Sequence, residues 1–322
     1  MRAAVLQIPG QPPAFTEHPD PTPGPGHSLV RVTAAPVVPL DLLCASGTSY
    51  FGRPAVPYVP GVQGVGVVER SETLSAGSRV WFATSAGMAP GDGSLAERCA
   101  VADPDLVPLD TTVADPLAAA LGLSAVAAWM ALSWRGGLQP GECVLVLGGG
   151  GAVGQAGIGA AKALGARRVV ALARSQQAQE RAYAAGADVV VPMHGDVDEL
   201  TARLSEAAEG HVDVVLDPVF GVAATAAARV LAEGGRLVNL GGASGDEAVF
   251  SSAVLRSRSA NVLGYTNNSL TPEQRRDALT AVLRHAADGR ITMAYDVLPL
   301  DAVHDVWQRQ AGGHAARVVL LP

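Results

Sequence analysis

Gly149, Gly151 and Gly154 follow the short apolar run Cys143–Leu147 and open a small-residue helical pattern that reaches about Leu164. Glycines at this spacing, between a strand and a helix, suit a dinucleotide. The first permits the tight turn, the second lets the backbone approach a diphosphate, and the third lets helix pack on strand. The helix start adds free N–H groups and partial positive charge. Gly149, Gly150, Gly151, Ala152, Val153 and Gly154 are therefore the candidate cofactor-binding residues. The next strand, Arg168–Ala173, ends in Arg174 and Ser175, where an NAD site would place an Asp or Glu on the ribose 2′-OH. A guanidinium and a hydroxyl can instead hold a 2′-phosphate by charge-assisted hydrogen bonds. The strand end thus predicts NADPH, with Arg174 and Ser175 on its phosphate.

The elements around these residues alternate from Glu142 onward. Strands are expected at Val144–Leu147, Val169–Ala173, Val189–Val191, Val212–Leu216, Arg236–Leu240 and Asn261–Gly264. Helices are expected at Ala152–Leu164, Gln176–Ala185, Val197–Ala208 and Val222–Ala232. The strands are continuous apolar runs, as when helices cover both faces of a sheet. A doubly wound parallel sheet binds ligand at the carboxyl ends of its strands, which adds Leu240 and Gly241 to the candidates.

Residues 1 to about 120 differ in texture. They are rich in Pro, Gly, Val and Thr, with strand-like runs at Ser28–Thr33, Gly64–Glu69 and Arg79–Phe82. After Tyr265 the texture changes again. Thr271 and Gln274 form a capping-box pattern for a helix reaching about Ala287. Leu298-Pro-Leu-Asp301 precedes a second helix, and Arg317–Leu321 reads as a closing strand.

Composition narrows the class. At 322 residues, 48% hydrophobic, the chain suits two domains with a sizeable core. Its net charge is −7 and Lys162 is its one lysine, so a nucleic-acid surface is not expected. Cys44, Cys99 and Cys143 lie far apart, which argues for free buried thiols in a reducing cytoplasm. The start lacks the apolar run of a signal peptide. Leu117–Trp134 has nearly the length of a membrane span, but is alanine- and glycine-rich and without a second such segment. It reads as a buried linker and helix, with no membrane partner.

Together these segments resemble the medium-chain dehydrogenase/reductases, most closely the zinc-free quinone oxidoreductase branch. The resemblance is carried by Gly61–Val68, Ala76–Val80, Gly93–Glu97, Ala119–Trp129, Val144–Gly154, Leu216–Gly221, Gly234–Val238 and Arg317–Leu320. It implies an α/β protein made of two domains: a GroES-like β-rich catalytic domain, 1–122 with 267–322, and a Rossmann domain, 123–266. The active site would lie in the cleft between them. Members of the family often dimerise through the last Rossmann strand, here near Asn261–Tyr265, so a homodimer is expected. Zinc-dependent relatives place ligands at positions that here hold Val38, Val62, and Leu123 or Ser124; no metal site is expected. The seven histidines are scattered and read as surface or capping residues.

The resemblance also implies the reaction. Without zinc, a quinone or α,β-unsaturated carbonyl accepts hydride at carbon while its oxygen needs only a hydrogen-bond donor. Tyr50 lies in the stretch after Asp41 that lines the cleft in relatives and is the candidate catalytic donor. Asp41 itself matches a family Asp of structural character, and Gln63 replaces a usual Glu. Val38 and Ala127 stand where relatives carry Asn and Thr near the nicotinamide, which implies a more apolar pocket. Met193 replaces a Tyr beside the 2′-phosphate. Arg317 stands where relatives touch the pyrophosphate, with a plain salt bridge as its alternative role. The expected function is NADPH-dependent reduction of a small-molecule quinone or enone. The alternatives are an enoyl-thioester or polyketide-tailoring reductase, and a non-catalytic NADPH-binding protein.

Overall fold

The structure is a computed structural model and describes residues 1–49, 51–313 and 316–322. Its early elements are β1 (Arg2–Val5), β2 (Ala14–Glu17), β3 (His27–Val37), α1 (Pro39–Ser46), β4 (Gln63–Arg70), β5 (Arg79–Ala83), β6 (Arg98–Ala102) and β7 (Leu106–Pro108). A long helix, α2 (Asp115–Met130), precedes β8 (Cys143–Leu147), α3 (Ala152–Ala163), β9 (Arg168–Ala173), α4 (Gln176–Ala184) and β10 (Val189–Pro192). Next come α5 (Val197–Ala207), β11 (Val212–Asp217), α6 (Gly221–Arg229), β12 (Leu231–Asn239), α7 (Ser252–Ser257) and β13 (Asn261–Gly264). The chain closes with α8 (Pro272–Ala287), β14 (Tyr295–Pro299), α9 (Val303–Ala311) and β15 (Arg317–Leu321).

Two compact units result: Met1–Gly122 with Ala294–Pro322, and Leu123–Met293. In the first, β3 buries alternate residues at its start and is fully buried by its end, the change from one covered face to two. β15 pairs antiparallel with β3, matching Leu320 to Ala35 and Val318 to Val37, and β14 runs parallel beside β15. The end of the chain thus completes the sheet its beginning starts. Val30, Val32, Val37, Phe82, Trp307 and Leu320 belong to one buried cluster there.

In the second unit a parallel sheet runs in the order β10-β9-β8-β11-β12-β13. This is the doubly wound order, which reverses direction between β8 and β11 and opens a crevice at their carboxyl ends. Every residue of β8 is buried, as continuous apolar strands require. β13 pairs with β12 at the sheet edge, at the residues expected from the sequence.

Three expectations are corrected. The helix α8 stays with the second unit rather than leaving it at residue 267, because Ala278, Leu279, Val282 and Leu283 are buried and the His285 ring lies 5.4 Å from that of Trp129. A Cβ on Gly159 of α3 would come within 2.7 Å of the Arg290 carbonyl, so the segment after α8 is packed there too. The helix expected to Ala232 ends at Arg229, and Leu231 already pairs with Val212 in the sheet. Finally, His285 is buried and not a surface histidine; burial lowers its pKa.

The apolar segment Asp115–Arg135 is long and apolar enough to cross a membrane, but 67% of its most apolar window is buried inside the fold. Being apolar all round, it behaves as a core helix. It kinks at Gly122, where φ is 27° and ψ is −130°.

Candidate functional site

The glycine loop follows β8 at the reversal of strand order. The Gly149 N–H donates to the Leu172 carbonyl of β9 at 2.9 Å, and the Gly151 N–H to the Gly148 carbonyl at 2.9 Å. A Cβ on Gly154 would collide with the Gly148 carbonyl oxygen and lie 2.7 Å from the Gly149 Cα. That glycine therefore lets α3 approach the loop. Gly151 is different. A Cβ there would meet only the Gly148 oxygen, at 3.3 Å, and otherwise open space. Gly151 caps α3 without any side-chain hydrogen bond. The first N–H groups of a helix have no intrahelical acceptor, so those of Ala152 and Val153 are available to a ligand. An exposed glycine, an uncapped helix start and an open approach fit a dinucleotide diphosphate.

The Gly150 carbonyl is held twice. Gln155 Nε2 donates to it at 3.1 Å and Arg181 Nε at 2.9 Å. A Cβ on Gly150 would run into the Ala178 backbone of α4. Arg174 lies exposed just past β9. Ser175 caps α4, its hydroxyl accepting from the Ala178 N–H at 3.2 Å.

The other strand ends complete the edge. Asp217, fully buried at the end of β11, accepts from the N–H groups of Val219 at 3.0 Å and Phe220 at 2.7 Å. Asn239 Nδ2 donates to it at 3.3 Å. Burial raises the Asp217 pKa, and these bonds oppose the rise. Its carbonyl accepts from Leu240, at 2.9 Å, and a Cβ on Gly241 would lie 2.8 Å from the Pro218 oxygen. Asp217, Gln155 and Arg181 were not singled out by their sequence context. A polar side chain alone in the small-residue run after Gly154 was the available sign for Gln155.

In the first unit Asp41 is buried at the start of α1. It accepts from the N–H groups of Val38 at 2.8 Å and Val62 at 2.9 Å. Its pKa is pushed up to about 6, by burial above all, against these bonds and the Arg317 charge. Arg317 is buried as well and donates through Nη1 to the Val37 carbonyl at 3.1 Å. Burial lowers its pKa to about 10. Pairing of β15 with β3 places this guanidinium beside the end of β3 and near the Asp41 charge. Gln63 is buried where a Cβ on Gly122 would collide with its amide. Val38 and Val62 are both buried, and among the described residues no group of three His, Cys, Asp or Glu side chains could hold a metal. Cys44, Cys99 and Cys143 are free and buried. Tyr50, the candidate donor, lies outside the described residues.

Two family models match in order along the chain. The alcohol dehydrogenase GroES-like domain matches residues 24–111 and the zinc-binding dehydrogenase domain residues 152–284. Quinone oxidoreductase-like protein 2 of Bos taurus is 31% identical, over 85% of this chain and 79% of its own length. The chain belongs to the medium-chain dehydrogenase/reductase superfamily, in its quinone oxidoreductase-like branch. It is a GroES-like domain joined to a Rossmann-like parallel sheet. The quinone oxidoreductase of Thermus thermophilus, solved alone and with NADPH, superposes with a TM-score of 0.79 at 30% identity, each chain covered in full. A phenolphthiocerol/phthiocerol polyketide synthase of Mycobacterium tuberculosis is 32% identical over 90% of this chain, which spans only 13% of that far longer polypeptide.

Proposed function

We propose that the protein is an NADPH-dependent reductase of quinones or α,β-unsaturated carbonyls that works without zinc. The observation that carries this reading is the pairing of an open glycine loop with a neighbouring strand end that bears exposed Arg174 and Ser175 and no carboxylate. The Thermus relative with NADPH supports it. Gly149–Gly154 would hold the diphosphate, with Ala152 and Val153 donating N–H groups. Arg174 and Ser175 would hold the 2′-phosphate, and Leu240 and Gly241 would border the strand-end crevice. Bound there, NADPH supplies a hydride.

Hydride arriving at an acceptor carbon puts charge on the conjugated oxygen, which then needs a donor and a proton. Tyr50 is the donor we propose, from its place in the chain. Val38, Val62 and Leu123 or Ser124 at the zinc-ligand positions support a metal-free site.

The polyketide synthase match favours a second reading, reduction of an enoyl thioester on the same fold. NADPH oxidation measured against a quinone, a simple enone and an enoyl thioester tests both. Turnover of quinone or enone with none of the thioester is the expected result. Turnover of the thioester alone selects the second reading, and oxidation of NADPH with none of the three refutes the proposal.

A further inference from the structure

Resting on the NADPH reading, we propose that Arg181 is a specificity-determining residue: the second arm, with Arg174, of a clamp that recognises the adenosine 2′-phosphate. Arg181 lies in the second turn of α4, the helix that starts directly after Arg174 and Ser175. Side chains on a helix lean toward its N-terminus, so this guanidinium leans back toward that strand end. Its Nε–H is fixed on the Gly150 carbonyl of the glycine loop at 2.9 Å. The side chain thus ties the helix that follows the strand end to the loop that would seat a diphosphate.

Two observations distinguish this role from that of a strut between α4 and the loop. First, the same carbonyl already accepts from Gln155 Nε2 at 3.1 Å, so it does not need Arg181 to be satisfied. Second, a guanidinium has five N–H donors in a planar fork, and among the described residues only Nε–H finds an acceptor. Other arginines of this chain are matched to carboxylates: Arg79 to Asp115, Arg168 to Glu209 and Arg236 to Glu142. Among the described residues Arg181 is matched to none. The adjacent Glu180 accepts from Gln176 Nε2 at 3.0 Å. A half-buried guanidinium anchored at one edge, with both terminal nitrogens unspent, is preorganised for a dianionic phosphate.

Titration calorimetry with 2′,5′-ADP against 5′-AMP, and with NADPH against NADH, tests the proposal. The probes are the native protein, Arg181→Ala and Arg181→Lys, with thermal melts to show that each variant folds. Loss of a charge-assisted contact weakens binding roughly 10-fold or more. Arg181→Ala should lose that factor for 2′,5′-ADP and NADPH while 5′-AMP and NADH change less than about 3-fold. Arg181→Lys, a point charge without the fork, should recover part of the loss. Equal weakening toward all four probes would show a strut and overturn the proposal, as would no change. If the native protein itself does not prefer the 2′-phosphorylated probes, the NADPH reading falls and this inference with it. If it does and Arg181→Ala keeps the preference, only the inference falls.

Discussion

Substituting two glycines of one loop by alanine should separate the fold's need for glycine from the ligand's. In Gly154→Ala the new Cβ meets backbone, the Gly148 oxygen and the Gly149 Cα at 2.7 Å, and no rotamer change can relieve it. Overpacking of this kind costs ~1–3 kcal/mol, and contact with backbone argues for the upper end. Alanine regains about 1 kcal/mol of helix propensity, leaving a net loss of about 2 kcal/mol. For a unit the size of Leu123–Met293, that lowers Tm by roughly 4–8 °C. In Gly151→Ala the Cβ meets only one atom, at 3.3 Å, and φ is −79°. Losing a helix-capping glycine and restricting the unfolded chain then nearly cancel, each at about 0.5–1 kcal/mol. Stability should hold, yet the methyl stands where a diphosphate must approach, and NADPH affinity should fall on the order of 10–100-fold. Thermal melts and calorimetry on both variants read this out. Native NADPH affinity in Gly151→Ala would refute the seating of the diphosphate on this loop. A Tm unchanged in Gly154→Ala would refute the packing argument.

Three further outcomes are expected. Asp41 binds its proton more tightly folded, at about 6, than unfolded, near 3.8, so its contribution to stability falls as pH rises from about 4 to about 6 and is then flat; the slope of denaturation midpoint against pH across that range should turn more positive in Asp41→Asn than in the native protein, and the same slope in both would contradict it. Tyr50→Phe should lower kcat/KM for an enone by roughly 10²-fold, within the range for a positioned general acid, and less for a quinone, whose reduced oxyanion is more delocalised; equal values for both proteins would remove Tyr50 from the reaction. Prolonged dialysis against a chelator should leave turnover unchanged, and loss of activity restored by zinc would overturn the metal-free reading.

Much of the second unit was legible because its central strands are apolar runs, so β8, β9 and β11 fall where hydrophobicity puts them. The capping box of Thr271 and Gln274 likewise forms as its spacing demands. α1 was hidden because its cap is Val38, which has no capping hydroxyl or carboxylate, and only Pro39 at the first helical position and Asp41 two residues later mark the turn. β14 was hidden because Tyr295–Pro299 is a half-exposed run containing Asp and Pro. The boundary at α8 depends on what the helix packs against, which a local pattern does not carry. At the site, the glycines and the Arg174–Ser175 strand end could be read locally. The arrangement of Arg181 and Gln155 on one carbonyl could not, since it arises when α4 is laid against a loop some thirty residues earlier in the chain. The surroundings of Arg317 could not be read locally for the same reason. A buried guanidinium near a buried carboxylate is a product of strand pairing between the two ends of the chain.

The measurement that bears most directly on the central claim is the affinity of the native protein for NADPH and NADH, determined by calorimetry under the same buffer and salt. A 2′-phosphate held by charge-assisted hydrogen bonds, worth about 1.5–3 kcal/mol, should make NADPH bind roughly 10–100-fold more tightly. Equal affinities, or a preference for NADH, would contradict the account.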